Sequence, residues 1–169
     1  MSENIVAKKV KELGEWYHRI DLGDGVITPG DRDQKLTYGL YDSVLPHDLS
    51  GMTVLDLGAN ACGLSVEFAK RGAHVLAVEL DPKFIRQAKF VVDHFDLSDR
   101  VEIRQADLFD ATRLGEFDIV VYVGLSYHIR YPQLALDMLS WNCKSMLVTS
   151  TQTIPGDSLS MTKRSERAK

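Results

Sequence analysis

The chain has 169 residues, a formal net charge of −4, and 44% hydrophobic against 26% charged residues. Those values suit one domain with one core and give no global electrostatic case for a nucleic-acid or anionic-membrane partner. Cys62 and Cys143 make neither a disulfide framework nor a zinc site; with no signal-peptide layout and no apolar run near ~20 residues, the expectation is a cytoplasmic protein without metal or membrane.

From the start of the chain, Val6, Val10, Leu13, Tyr17 and Ile20 advance in three- and four-residue steps, which predicts an amphipathic helix. Gly23, Gly25, Pro29 and Gly30 break the chain into turns. A second helix is predicted from Asp33 to Leu45, ahead of Pro46. Residues 52–57 form a dense apolar run, as in a strand buried on both faces. Residues 63–71 read as a helix stopped by Gly72, and residues 74–80 as a second strand. Asp81 and Pro82 give a helix cap and a first helical proline; Phe84, Ala88, Val91 and Phe95 line one face of that helix. Further strands are expected at 101–106, 117–123 and 145–151, with a helix at 132–141 before the last.

Strands alternating with helices imply parallel βαβ units with right-handed crossovers, a Rossmann-like α/β sheet with flanking helices. The chain divides into a helical cap segment over residues 1–50, the α/β domain over 51–156 and a polar basic tail over 157–169. Basic residues gather as Lys8, Lys9 and Lys11 and as Lys163, Arg164, Arg167 and Lys169; both read as solvated clusters, with RNA contact the alternative.

Such a sheet binds its ligand at the carboxyl ends of the strands, near the switch in strand order. Three sites fall there. The turn after the first of these strands carries Asp56, Gly58, Asn60 and Gly63; glycine lets backbone approach a ligand, and Asp56 can hold a cationic group or order the turn. Glu79 lies 23 positions after Asp56 at the next strand end, where a carboxylate can accept ribose hydroxyls. Asp107 closes the third strand and can accept from an adenine amino group while the Leu108 N–H donates to a ring nitrogen. Together these point to an adenosyl ligand. A dinucleotide is disfavoured, because Asn60 stands where its turn needs a second glycine.

Asp56 with Gly58, Glu79 and Asp107 resemble motifs of the class I S-adenosylmethionine methyltransferases. Residues 16–23 (WYHRIDLG), 28–30 (TPG), 124–132 (GLSYHIRYP) and 151–156 (TQTIPG) narrow the likeness. They are similar to a bacterial family that contains the methyltransferases modifying tRNA wobble uridine to its 5-oxyacetic acid or 5-methoxy derivatives. The resemblance implies S-adenosylmethionine as cofactor, with Asp56, Gly58, Asn60, Gly63, Glu79, Asp107, Leu108 and Gly124 around it. It also implies a cap formed by the N-terminal segment and a missing set of last strands. Carboxy-S-adenosylmethionine, used by some relatives, is the less favoured cofactor; Arg19, Lys35 and Arg130 could meet its extra carboxylate. Two positions depart from the pattern: Cys62 stands where the family usually has glycine, and Gly63 where an aromatic often follows.

Transfer to a hydroxyl benefits from a general base. Tyr127, His128 and His18 are the catalytic candidates, with Asp21 a further one, whereas His47, His74 and His94 read as ordinary surface or helix residues. The acceptor is expected to be a tRNA wobble uridine or a small molecule. A catalytically silent cofactor-binding module is the alternative, motivated by Cys62 and the short C-terminal part. An open sheet edge would favour homo-oligomers.

Overall fold

Side chains along the central strands alternate between two apolar layers, and this alternation decides where each polar group at the strand ends can point. The computed structural model describes residues 5–111 and 113–151. Its elements are α1 (Ile5–Glu12), β1 (His18–Arg19), β2 (Arg32–Asp33), α2 (Gln34–Asp42), β3 (Thr53–Leu57), α3 (Gly63–Lys70), β4 (His74–Glu79), α4 (Pro82–His94), β5 (Val101–Gln105), α5 (Leu108–Ala111), β6 (Phe117–Val123), α6 (Pro132–Trp141) and β7 (Cys143–Ser150). A 3-10 turn spans Ser126–His128.

The main sheet is five-stranded in the order β5-β4-β3-β6-β7, parallel throughout. Val54, Val75, Ala77, Ile119 and Val121 pack in one layer with Val66 and Phe68 of α3 and Val91 of α4. Leu55, Leu57, Leu76, Val78, Val120 and Tyr122 pack in the other with Leu108, Ala111, Ala135 and Leu139. Asp56 follows the parity of Val54, so its side chain enters the α3 layer. The strand order reverses between β3 and β6, which opens a crevice at their carboxyl ends. The parallel Rossmann-like expectation is met, with strand bounds within two residues of the predicted ones.

The N-terminal segment corrects one expectation. The helix predicted to run on to Ile20 ends at Glu12, because Gly14 turns into the left-handed region at φ +81°. Beyond it Trp16, Ile20 and Leu22 are buried at even spacing while Tyr17 is 44% exposed, so this stretch is extended chain. The Trp16 indole N–H donates back to the Val10 carbonyl at 2.9 Å, and the ring meets Phe90 edge-on. Gln87 of α4 donates to the carbonyls of Leu13 and Glu15. His94, expected to be an ordinary helix residue, tethers the same segment: its ring Nε2–H reaches the Leu22 carbonyl at 2.6 Å.

The segment then doubles back. Ile20 N–H donates to Thr28 Oγ1, whose hydroxyl donates to the His18 carbonyl, and His18 pairs in register with Arg32. Gly30 sits flat against His18: a Cβ there would lie 2.3 Å from the His18 carbonyl carbon. That close approach explains the glycine of the 28–30 motif. Asp33 caps α2 by accepting from the N–H groups of Lys35 and Leu36, and the helix ends at Asp42, three residues short of the predicted Leu45. The predicted tail over 157–169 and most of segment 151–156 lie outside the described residues.

Candidate active site

The ends of β3 to β7 and the N-terminal segment enclose a cavity of about 700 Å³. Its floor is the turn after β3. Gly58 and Ala59 both donate their N–H to the Val78 carbonyl, tying the turn to β4. Gly58, Asn60 and Cys62 take left-handed φ values of 68°, 51° and 59°, and the N–H groups of the bend stay within the fold: Asn60 donates to Glu79, Ala61 to the Asn60 side chain and Cys62 to the Ala59 carbonyl. Gly58 needs its glycine, since a Cβ would meet Leu125 at 3.2 Å on top of the unfavourable φ. Cys62 meets the same demand without glycine. Its side chain is completely buried, and burial, with the Asp56 charge beside it, pushes the thiol far above its usual range.

Asp56 is 3% exposed. The Ser65 hydroxyl donates to its Oδ2 at 2.6 Å. Burial raises the Asp56 carboxyl to a pKa of about 6, with the Glu79 charge adding to the rise. Glu79 itself is held in place by backbone: Oε2 accepts from Asn60 N–H, and Oε1 from Leu80 and Asp81 N–H. The helix cap belongs to Asp81, which accepts from Lys83 N–H. Asp107 spends Oδ1 on the Phe109 N–H at 2.8 Å, so it caps the short helix that follows while also standing in the cavity wall.

Of the expected site residues, Asp56, Gly58, Asn60, Glu79, Asp107, Leu108, Gly124, Tyr127, His128 and His18 all line this cavity. Gly63 does not. It lies behind the turn against Gln34 and lines a second cavity of about 440 Å³. Asp21, Arg19 and Lys35 also face that second cavity, and Arg130 is absent from the walls of both. Asp21 is thereby displaced from the reaction site, with Oδ1 turned to the Gly23 N–H.

The Tyr127 and His128 rings meet at a tilt of 49°, centroids 4.5 Å apart, where β6 ends. His18 closes the opposite side; burial drives its pKa down to about 4, against a hydrogen bond to Asn60 that raises it. The imidazole is neutral at physiological pH. Arg32 and Gln34 escaped the sequence reading, because they follow a turn motif and carry no strand-end signature. Among the described residues, Arg32 is the sole lysine or arginine in the cavity wall.

A methyltransferase-domain family model matches residues 55–146. The chain belongs to the methyltransferase domain family. It is 37% identical over 92 residues to a magnesium-protoporphyrin O-methyltransferase of Rhodobacter capsulatus, covering 54% of this chain and 40% of that protein. It is 29% identical over 91 residues to a ubiquinone biosynthesis O-methyltransferase of Psychrobacter cryohalolentis, covering 53% and 35%. The N-terminal domain of EvdMO1, solved in the presence of SAH and D-fucose, superposes with a TM-score of 0.65 at 25% identity over 88% of this chain and 62% of that one. The chain thus spans about two fifths or less of the length of these curated relatives. The cofactor is S-adenosylmethionine, and the narrower likeness to wobble-uridine enzymes has no counterpart in these matches. No helix among the described residues is long and apolar enough to cross a membrane.

Proposed function

We propose that this chain moves a methyl group from S-adenosylmethionine to a hydroxyl of a small molecule. The observation that carries the reading is the sign of the cavity. Among the described residues Asp56, Glu79 and Asp107 line it against a single cation, Arg32, a poor reception for a polyanion such as tRNA. Leu40 of α2, 74% exposed, and Leu80, 59% exposed, stand in its walls with Leu125 and Ile129, which suits an acceptor with apolar surface. The relatives named as O-methyltransferases favour oxygen as the acceptor atom.

The residues present fit the cofactor. Asp107 and Leu108 suit the adenine edge, and Glu79, oriented by three backbone N–H groups, suits the ribose hydroxyls. The glycine bend with Asp56 suits the methionine end. When bound, S-adenosylmethionine supplies a methyl group on a sulfonium that transfers by in-line displacement. The protein's task is alignment and exclusion of water. Tyr127 Oη and the His128 imidazole, at the β6 end, orient the acceptor hydroxyl and take its proton. His18, held at about 4, has too little proton affinity for that work; it closes the cavity as a neutral group. Neither Arg19 nor Lys35 reaches this cavity, in keeping with ordinary S-adenosylmethionine over the carboxylated form.

Incubation with methyl-labelled cofactor, first with a panel of phenolic and polyhydroxylated small molecules and then with bulk tRNA, tests the proposal. Label in a small-molecule ether supports it. Label in tRNA overturns the choice of acceptor, and binding without transfer to either class favours the silent module.

A further inference from the structure

Gln34 opens α2 and is 5% exposed. Both Oε1 and Nε2 are buried, and neither has a hydrogen-bond partner. A buried amide left unpaired at both ends is costly, and a chain that only needed to fill this space would do so with Met or Leu. Gln34 lines the 700 Å³ cavity and, on the Gly63 side, the 440 Å³ one as well. Its stem lies across Gly63: a Cβ on that residue would come within 2.6 Å of Gln34 Cγ and 2.9 Å of Oε1. The absence of a side chain at Gly63 therefore makes room for this glutamine.

The strand order says which ligand group an amide here would meet. Asp107 at the end of β5 and Glu79 at the end of β4 are neighbours in the sheet, followed by the β3 bend. Adenine over β5 and ribose over β4 send the rest of the cofactor across β3, toward the start of α3 where Gln34 rests. That remaining portion ends in an α-ammonium and an α-carboxylate. One donates and the other accepts, the two capacities that a primary amide offers together. Arg32, two residues earlier and in the same wall, adds a cation on the carboxylate side.

We propose that Gln34 binds the amino-acid end of the cofactor, Oε1 accepting from the α-ammonium and Nε2 donating to the α-carboxylate. The inference rests on the cofactor assignment and adds a specificity-determining residue carried by the cap segment. Gly63 serves it indirectly, as the surface on which the glutamine lies.

Two ligands separate this role from a structural one. S-adenosylhomocysteine carries the amino-acid end; 5′-methylthioadenosine has the same nucleoside and sulfur without it. Calorimetric titration of both into wild type, Gln34→Met and Gln34→Ala is expected to show S-adenosylhomocysteine weakened at least tenfold in each variant. Methylthioadenosine should stay within twofold of wild type, and Gln34→Met without ligand should melt at or above the wild-type temperature. Equal weakening of both ligands, or unchanged S-adenosylhomocysteine affinity in both variants, overturns the proposal. Wild type that binds neither ligand overturns the cofactor assignment and this inference with it.

Discussion

Ser65 Oγ donates to Asp56 Oδ2 at 2.6 Å inside the α3 layer, and neither residue is more than 3% exposed. One hydroxyl is a weak substitute for water around a carboxylate, so the folded state holds the Asp56 proton until about pH 6 against 3.8 in the unfolded chain. A raised acid favours folding at low pH and loses that advantage as pH rises from 3.8 through 6. The stability of Asp56→Asn relative to wild type should therefore grow by about 2 kcal/mol between pH 4 and pH 7.5. Urea unfolding at the two pH values checks this; a difference that stays flat would contradict it. The same variant should bind S-adenosylhomocysteine more weakly, a trade of function for stability.

His18 works in the opposite sense. Its folded pKa of about 4 lies below the ordinary 6.5, so the unfolded chain takes up a proton first as pH falls. Stability from this group is complete above 6.5 and is lost on the way down to 4. His18→Gln should retain about 3 kcal/mol more than wild type over that descent, read as a smaller fall in melting temperature. The two buried groups thus partly offset each other between pH 4 and 6 in wild type.

Gly30→Ala tests whether the 28–30 motif acts through close packing. The added carbon would fall 2.3 Å from the His18 backbone, and backbone on both sides of the contact leaves no flexible side chain to move. A loss of about 3 kcal/mol in urea unfolding is expected. Gly39→Ala, where a Cβ meets nothing within 4 Å, should not lose stability.

The sequence displays the sheet well, because strands buried on both faces are dense in Val, Leu and Ile and their ends carry recognisable acids. It displays the cap poorly. Val6, Val10, Leu13, Tyr17 and Ile20 keep helical spacing, yet Gly14 breaks the period, and the buried set beyond it is Trp16, Ile20 and Leu22. Gly58 announces its own conformation, while Asn60 and Cys62 hide theirs by adopting left-handed φ without glycine. Gly63 reads as part of a ligand-binding bend, but what it makes room for is Gln34, 29 positions earlier. Contacts of that kind carry no local pattern. Glu79 was readable by its place, whereas its fixing by three backbone N–H groups depends on how the β3 and β4 turns meet.

The central claim is that the β3, β4 and β5 ends form one nucleoside site, and titration of S-adenosylhomocysteine into Glu79→Ala tests it most directly. Asp118→Ala, at the opposite end of the sheet where Asp118 binds the Thr53 hydroxyl and N–H, serves as the control. The account predicts at least tenfold weaker binding for Glu79→Ala, a loss of about 1.4 kcal/mol or more, with the control within twofold of wild type. Affinity that is unchanged in Glu79→Ala, or lost equally in both variants, would contradict it.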